Sequence, residues 1–261
     1  MSLKGKVVLI TGSTSGIGLA MARAFAAEGC NVMLNGFGDS GAIAKLREDI
    51  AKQHSVRVDY HGADMSKPAE IADLIAQTKA RLGSLDILVN NAGIQHVAAV
   101  ENFPPEKWDA IIAINLSSSF HTISAALPLM KAKGWGRIIN VASTHGLVAS
   151  AQKVAYVAAK HGIVGLTKVI GMECADTGVT CNAICPGWVL TPLVQIQIDA
   201  RAKAQNISPE QAAKNLLAEK QPQLQFTKPE QIAGLAVFLA SDTASNMQGT
   251  QLVSDGGWTA Q

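Results

Sequence analysis

Neither sign of charge dominates this chain. Its 261 residues carry 22 lysines and arginines against 20 aspartates and glutamates, a formal net charge of +2, and these are scattered along its length. There is no basic stripe to suit nucleic acid and no acidic tail to suggest disorder, so the expected partner is a small molecule. Cysteine is scarce. Cys30, Cys174, Cys181 and Cys185 lie mostly in apolar runs without CxxC spacing, and no histidine cluster supplements them. That argues against a metal site and suits reduced core thiols in a cytoplasmic protein. The N-terminal Met1-Ser2-Leu3-Lys4-Gly5-Lys6 leads straight into a strand pattern, with no h-region and cleavage site. No apolar span of 18 residues is expected, hence no membrane partner. Internal repeats, linkers and low-complexity tracts are missing as well, which leaves one domain over residues 1–261.

What is present is a 48% hydrophobic chain in which short β-branched runs alternate with helical patterns, the signature of an α/β fold with a doubly wound parallel sheet flanked by helices. Val7 to Thr11 reads as a strand. It ends at Gly12-Ser13-Thr14-Ser15-Gly16-Ile17-Gly18 and gives way to a helical pattern up to Gly29. Glycines permit a tight turn and close backbone approach, while the free N–H groups at a helix start suit a pyrophosphate. The spacing is GxxxGxG rather than GxGxxG, so the strand and helix around it carry much of the argument. A second strand, Asn31 to Asn35, is followed by Gly36-Phe37-Gly38-Asp39. No acid follows it directly, no lysine or arginine is there to neutralise a 2′-phosphate, and Ser15 is neutral, which points to NAD. Asp64, after the strand Val56 to Tyr60, either accepts from an adenine amine or caps the helix beginning near Pro68. The strand Leu85 to Val89 ends in Asn90-Asn91-Ala92-Gly93, where backbone can approach a cofactor ribose.

The chemistry is expected in Ser143 to Lys160. Tyr156 and Lys160 are four apart in a helical run, so one helix face presents a phenol above an ammonium. A cation held close pulls a phenol, ordinarily near pH ~10, toward working pH. Ser143 ends the apolar strand Arg137 to Ala142, where open α/β sheets keep their sites, and its hydroxyl can reach the same substrate oxygen. Lys153, three residues before Tyr156, is either an ammonium for a substrate anion or a solvated helix-start lysine. Asn115 interrupts an apolar helix running from Pro105 to about Lys133; it either bends that helix through a hydrogen bond or marks a kink whose freed carbonyl holds a water beside Lys160. The Gln-, Ala- and Lys-rich segment 191–228 has helical spacing and no strand, and reads as a substrate lid.

With these residues assembled, the chain resembles the classical short-chain dehydrogenase/reductase family over essentially its whole length, through TGSTSGIG at Thr11 to Gly18, NNAG at Asn90 to Gly93, Pro186-Gly187, and Ser143, Tyr156 and Lys160. The resemblance implies a Rossmann-type fold and a homotetramer. It implies catalysis by Asn115, Ser143, Tyr156 and Lys160, with Tyr156 as acid/base. Cofactor contacts would fall to Gly12, Thr14, Ser15, Gly16, Ile17, Gly18, Phe37, Asp64, Met65, Asn91, Ala92, Gly93, Tyr156, Lys160, Pro186, Gly187, Val189 and Thr191. NNAGIQH, STHGLVAS, YVAAKHG, ICPGWV, EKQPQLQF and DGGWTA look like family members that interconvert (R)-3-hydroxybutyrate and acetoacetate. On that likeness Gln95, Ser143, His145, Lys153, Tyr156, Trp188, Gln197 and Trp258 would hold the substrate, the two tryptophans walling off its methyl end. A 3-oxoacyl thioester reductase of the same family and a non-catalytic NAD-binding sensor are the alternatives.

Overall fold

The computed structural model describes residues 2–260. Among them the first half of the chain runs β1 (Val7–Ile10), α1 (Gly16–Ala27), β2 (Asn31–Asn35), α2 (Ser40–His54), β3 (Val58–His61), α3 (Pro68–Leu82) and β4 (Ile87–Asn90). The second half continues with α4 (Pro105–Ile112), α5 (Ser118–Lys133), β5 (Gly136–Val141), α6 (Val154–Glu173), β6 (Val179–Pro186), α7 (Pro192–Gln205), α8 (Pro209–Ala218), α9 (Pro229–Ala240) and β7 (Gln251–Ser254). Strand ends differ by one or two residues from the sequence expectation, because pairing with neighbours rather than side-chain type sets where a ladder stops.

The described strands form one parallel sheet in the order β3-β2-β1-β4-β5-β6-β7. Alternate residues of β1 serve opposite faces. Val8 and Ile10 join the cluster under α1 and α9, built around Met21, Phe25, Ile232 and Leu239, whereas Val7 and Leu9 join the one under α3 and α5 with Ile71, Leu74, Ile123 and Met130. A strand buried on both faces must be apolar throughout, which is why these runs read as continuous rather than alternating. Fully burying each such side chain stabilises the fold by about 1.5–3 kcal/mol. The chain leaves β1 in one direction for β2 and β3 and then returns to place β4 on β1's other side. That reversal opens a crevice at the strands' carboxyl ends.

One expectation needs correction, and another gains a detail. The 29-residue helical stretch Pro105–Lys133 is long and apolar enough, by length and composition, to cross a membrane, an 18-residue window within it reaching a mean hydropathy of 1.4. The expectation of no such span fails because an averaged hydropathy tolerates interspersed polar residues; here Asn115, Ser118, Ser119 and Thr122 are buried in that stretch, and α5 packs on α3 and the sheet. Among the described residues the lid segment holds helices and no strand, as expected, but one isolated bridge closes it. Val189 and Thr227 form a parallel bridge, with the Thr227 amide donating to Trp188 O at 2.9 Å and the Leu190 amide to Thr227 O at 3.3 Å. This bridge ties the two ends of the lid together, and a single long-range pair leaves no periodic trace in sequence. Within the lid, Thr191 and Ser208 cap α7 and α8. Val194, Ile198, Ala212 and Leu216 form a small cluster with Trp188 and Trp258, separate from the two main cores.

Candidate active site

At the end of β1 the chain turns through Gly12 at φ +63° and Gly16 at φ +56°, conformations that side-chain-bearing residues rarely adopt. Asn35, the last residue of β2, steadies the turn: its Oδ1 accepts from the Gly12 amide at 3.3 Å while its Nδ2 donates to His61 O and Ala63 O at 3.0 Å each. Asn91 clasps the turn from β4, its Nδ2 donating to Thr11 O and Gly12 O at 2.9 Å. Helix α1 opens without a side-chain cap at Ser15 and without an acid in its first turn, and Ser15, Gly16 and Ile17 face the crevice. Uncapped amide donors at a helix start, on a floor kept low by glycine, fit the pyrophosphate of a dinucleotide.

Gly18 serves this turn from behind. A Cβ there would lie 2.2 Å from Gly12 O and 2.5 Å from Asn91 Nδ2, so only glycine lets α1 approach the turn. We expect Gly18→Ala to cost about 1–3 kcal/mol through overpacking and to weaken dinucleotide binding. Thermal melts with and without the cofactor check both effects, and an unchanged melting temperature would refute the close approach.

At the other end of the crevice, α6 carries Tyr156 and Lys160 one turn apart, with Lys160 Nζ 5.6 Å from the Tyr156 ring centroid and donating to Val141 O at 2.7 Å. Burial pushes the Lys160 ammonium down to about 8. The Tyr156 phenol is raised from its ordinary value by burial, with a hydrogen bond from Ser143 acting the other way. The expected lowering of the phenol is therefore not what the structure has: burial disfavours the charged form of both groups and outweighs the Ser143 hydrogen bond at Tyr156. Ser143, at the end of β5, accepts the His145 amide at 3.1 Å. His145 is held down to about 3 by burial and then by Lys153, and is therefore neutral. Its ring packs edge-on against Tyr156 at 5.8 Å and Trp258 at 5.1 Å between centroids.

Lys153 is not the solvated helix-start residue of the bland alternative. It is only 9% exposed, and its Nζ sits 4.6 Å from the Trp188 ring centroid. Burial, and after it Arg201, lowers it to about 8, and among the described residues no acidic side chain pairs with it. Gln197 on α7 reaches across to Gln95 beyond β4 at 3.5 Å, and Gln95 Nε2 is buried without a partner.

One crevice of about 420 Å³ joins the two ends. It is lined by Gly12, Thr14, Ser15, Gly16, Ile17, Phe37, Asp64, Met65, Asn91, Ala92 and Gly93 at the glycine-turn end, and elsewhere by Gln95, Ser143, His145, Lys153, Tyr156, Lys160, Pro186, Gly187, Trp188, Val189, Thr191, Gln197 and Trp258. Gly18 and Asn115 alone, of the residues expected in the site, do not line it. Asn115 lies in a π-helical turn over Ala113–Ser117, and its side-chain amide closes both ways on Ile94, accepting from its amide at 2.8 Å and donating to its carbonyl at 2.9 Å. Neither expectation for Asn115 included that loop as partner. Asp64 both faces the crevice and accepts from Ser66 N and Oγ at 2.9 and 2.7 Å, turning the chain toward α3 without capping it directly. Asn35, Ile94 and Thr144 line the crevice without having been expected there; for Asn35 the available signal was a polar residue closing an otherwise apolar strand.

The model of the short chain dehydrogenase family matches residues 6–202. The D-beta-hydroxybutyrate dehydrogenase of Cupriavidus necator is 63% identical over 260 residues, covering 99% of this chain and 100% of that one. The enzyme of the same name from Rhizobium meliloti is 56% identical over 256 residues, covering 98% and 99%. Among solved structures, a variant actinorhodin polyketide ketoreductase with NADPH superposes with a TM-score of 0.92 at 33% identity, covering 98% of both chains. With its parallel sheet, glycine turn and Ser143, Tyr156 and Lys160 gathered at one crevice, the chain belongs to the short-chain dehydrogenase family.

Proposed function

We propose that this protein interconverts (R)-3-hydroxybutyrate and acetoacetate with NAD as cofactor, Tyr156 serving as acid/base. The observation that carries this reading is Lys153, a buried ammonium without an acidic partner beside Ser143 and Tyr156. An unpaired buried cation is costly, and a substrate carboxylate offsets that cost. The full-length likeness to two D-beta-hydroxybutyrate dehydrogenases points to the same acid.

The family fold binds a nicotinamide cofactor, which when bound supplies the hydride acceptor or donor. In the proposed reaction the glycine turn and the start of α1 hold its pyrophosphate, and Lys160 holds its ribose. Ser143 donates to the substrate oxygen, and Tyr156 exchanges the proton with that oxygen. Lys153, with Gln95, His145 and Gln197, grips the carboxylate, while Trp188 and Trp258, packed 5.7 Å apart, limit the space for the alkyl end. The π turn at Asn115 keeps its proposed role of presenting a backbone carbonyl to a relay water. The reading takes residues 1–261 as one catalytic domain acting as a homotetramer in the cytoplasm, the latter in keeping with four buried unpaired cysteines.

NAD is favoured over NADP because the crevice-lining residues around Phe37 are Thr14, Asn35, Gly36 and Asp64, with no cation among them. A 2′-phosphate there gains no charged hydrogen bond, worth about 1.5–3 kcal/mol, which corresponds to a preference for NAD of roughly 10- to 100-fold or more. Steady-state kinetics with 3-hydroxybutyrate, 3-hydroxyvalerate, lactate and acetoacetyl thioester, each with both nicotinamides, test the proposal. The highest kcat/KM belongs to (R)-3-hydroxybutyrate with NAD; equal efficiency with NADP, or with the thioester, overturns it.

A further inference from the structure

At the end of the crevice remote from Tyr156, the link between β3 and α3 forms part of the wall, with Ala63, Asp64 and Met65 lining the cavity. With the pyrophosphate at the glycine turn and the reacting end beside Tyr156, the adenosine half of the cofactor falls against this wall. The link belongs to neither helix nor strand, so its shape depends on where its amides and carbonyls find partners. Asn35 Nδ2 takes His61 O and Ala63 O. The Ala63 amide donates to His61 Nδ1 at 3.2 Å, the Asp64 amide to Glu70 Oε2 at 2.8 Å, and the Ser66 amide to Asp64 Oδ1 at 2.9 Å. Among the described residues, only the Met65 amide in the run 63–66 has no protein acceptor, which leaves it available to an acceptor on the adenine ring.

His61 closes β3, and each of its ring nitrogens has a partner with a fixed role. A backbone N–H can only donate, so Nδ1 accepts from Ala63 and the ring proton sits on Nε2. There it meets an acceptor, Asp73 Oδ2 on α3, at 2.9 Å. That bond is the main cause holding the Asp73 carboxyl below its ordinary range, and Gln77 Nε2 adds a second donor at 3.3 Å. The His61 side chain is 16% exposed and that of Asp73 57%. A pair so open to solvent adds little to stability. What it supplies is a fixed ring orientation, and through Nδ1 a fixed position for the first residue of the wall.

We propose that His61 is a positioning residue for the adenosine end of the cofactor site: Asp73 orients its ring, and Nδ1 holds the Ala63 amide and with it the wall of Ala63, Asp64 and Met65. The inference rests on the cofactor lying along the crevice as in the proposed reaction.

Two substitutions in the full-length protein separate the ring's two bonds. His61→Gln keeps a donor within reach of Asp73 and loses the acceptor for Ala63, whereas His61→Asn keeps an acceptor at the Nδ1 position and loses the donor to Asp73. Calorimetric titration with ADP-ribose reads the adenosine end alone. His61→Gln binds ADP-ribose roughly 3- to 10-fold more weakly than the parent, the scale for one uncharged hydrogen bond, and His61→Asn stays within about twofold. In acetoacetate reduction His61→Gln raises KM for NADH by the same factor, while kcat and KM for acetoacetate stay within about twofold. A role confined to tying β3 to α3 would give the reverse order, with His61→Asn the impaired variant. ADP-ribose affinity within twofold of the parent in His61→Gln, or an equal loss in His61→Asn, overturns the proposal. A parent that reduces no acetoacetate overturns the functional reading instead, while the ADP-ribose titrations still decide the role of His61.

Discussion

Tyr156→Phe is expected to lower kcat by about 10²- to 10⁴-fold, the range for losing a positioned acid/base, while NADH binding followed by fluorescence stays within about threefold. The substitution removes one oxygen from a residue on α6 whose ring packing against His145 is retained. Lys160 keeps its bond to Val141 O, and the glycine turn lies at the far end of the crevice, so neither ribose nor pyrophosphate contacts are disturbed. The raised phenol adds a directional signature. A neutral phenol at neutral pH is ready to protonate the nascent alkoxide during reduction, whereas oxidation needs the scarce phenolate. The parent's oxidation rate should therefore climb with pH, and its reduction rate should not. Residual turnover in Tyr156→Phe above a tenth of the parent would remove Tyr156 from the proton path.

Lys153→Met should reduce kcat/KM for 3-hydroxybutyrate by roughly 30- to several-thousand-fold, the 2–5 kcal/mol expected when one partner of a buried charge pair is removed. Methionine keeps most of the stem that packs on Trp188, so the loss reports charge rather than shape. The methyl ester of the same acid gains nothing from an ammonium, and should be poor with the parent and little changed by the substitution. Equal losses for acid and ester would mean that Lys153 supports α6 or Tyr156 instead. The pH dependence carries the same information. Lys153 is charged below about 8 and neutral above it, so in the parent KM for the acid rises as pH passes through that value while KM for the ester stays flat. The sign for stability runs the other way. A lysine whose folded value lies below its unfolded one costs stability at low pH, a cost fully present below about 8 and relieved as pH rises toward the unfolded value. Lys153→Met should accordingly not lower the melting temperature at pH 7.

Much of the fold is local information. Strands buried on both faces are mostly apolar, as Val7–Ile10 is throughout, and the helices between them carry apolar stripes such as Met21, Ala22 and Phe25. The glycine turn, and the spacing that stacks Tyr156 over Lys160, are legible for the same reason: each depends on residues within one turn or one helix. Local pattern therefore sets the order and type of elements and the chemistry available at their ends. How that chemistry is tuned depends on the folded surroundings. The raised Tyr156 phenol, the depressed Lys153 and Lys160 ammoniums, and the neutral His145 all follow first from desolvation by burial in the folded chain. The Asn115 clasp on Ile94, the Asn35 brace under Gly12 and the Val189–Thr227 bridge are likewise single contacts between distant segments. A contact of that kind has no period and no motif, because it exists only once the sheet has brought the carboxyl ends of its strands together.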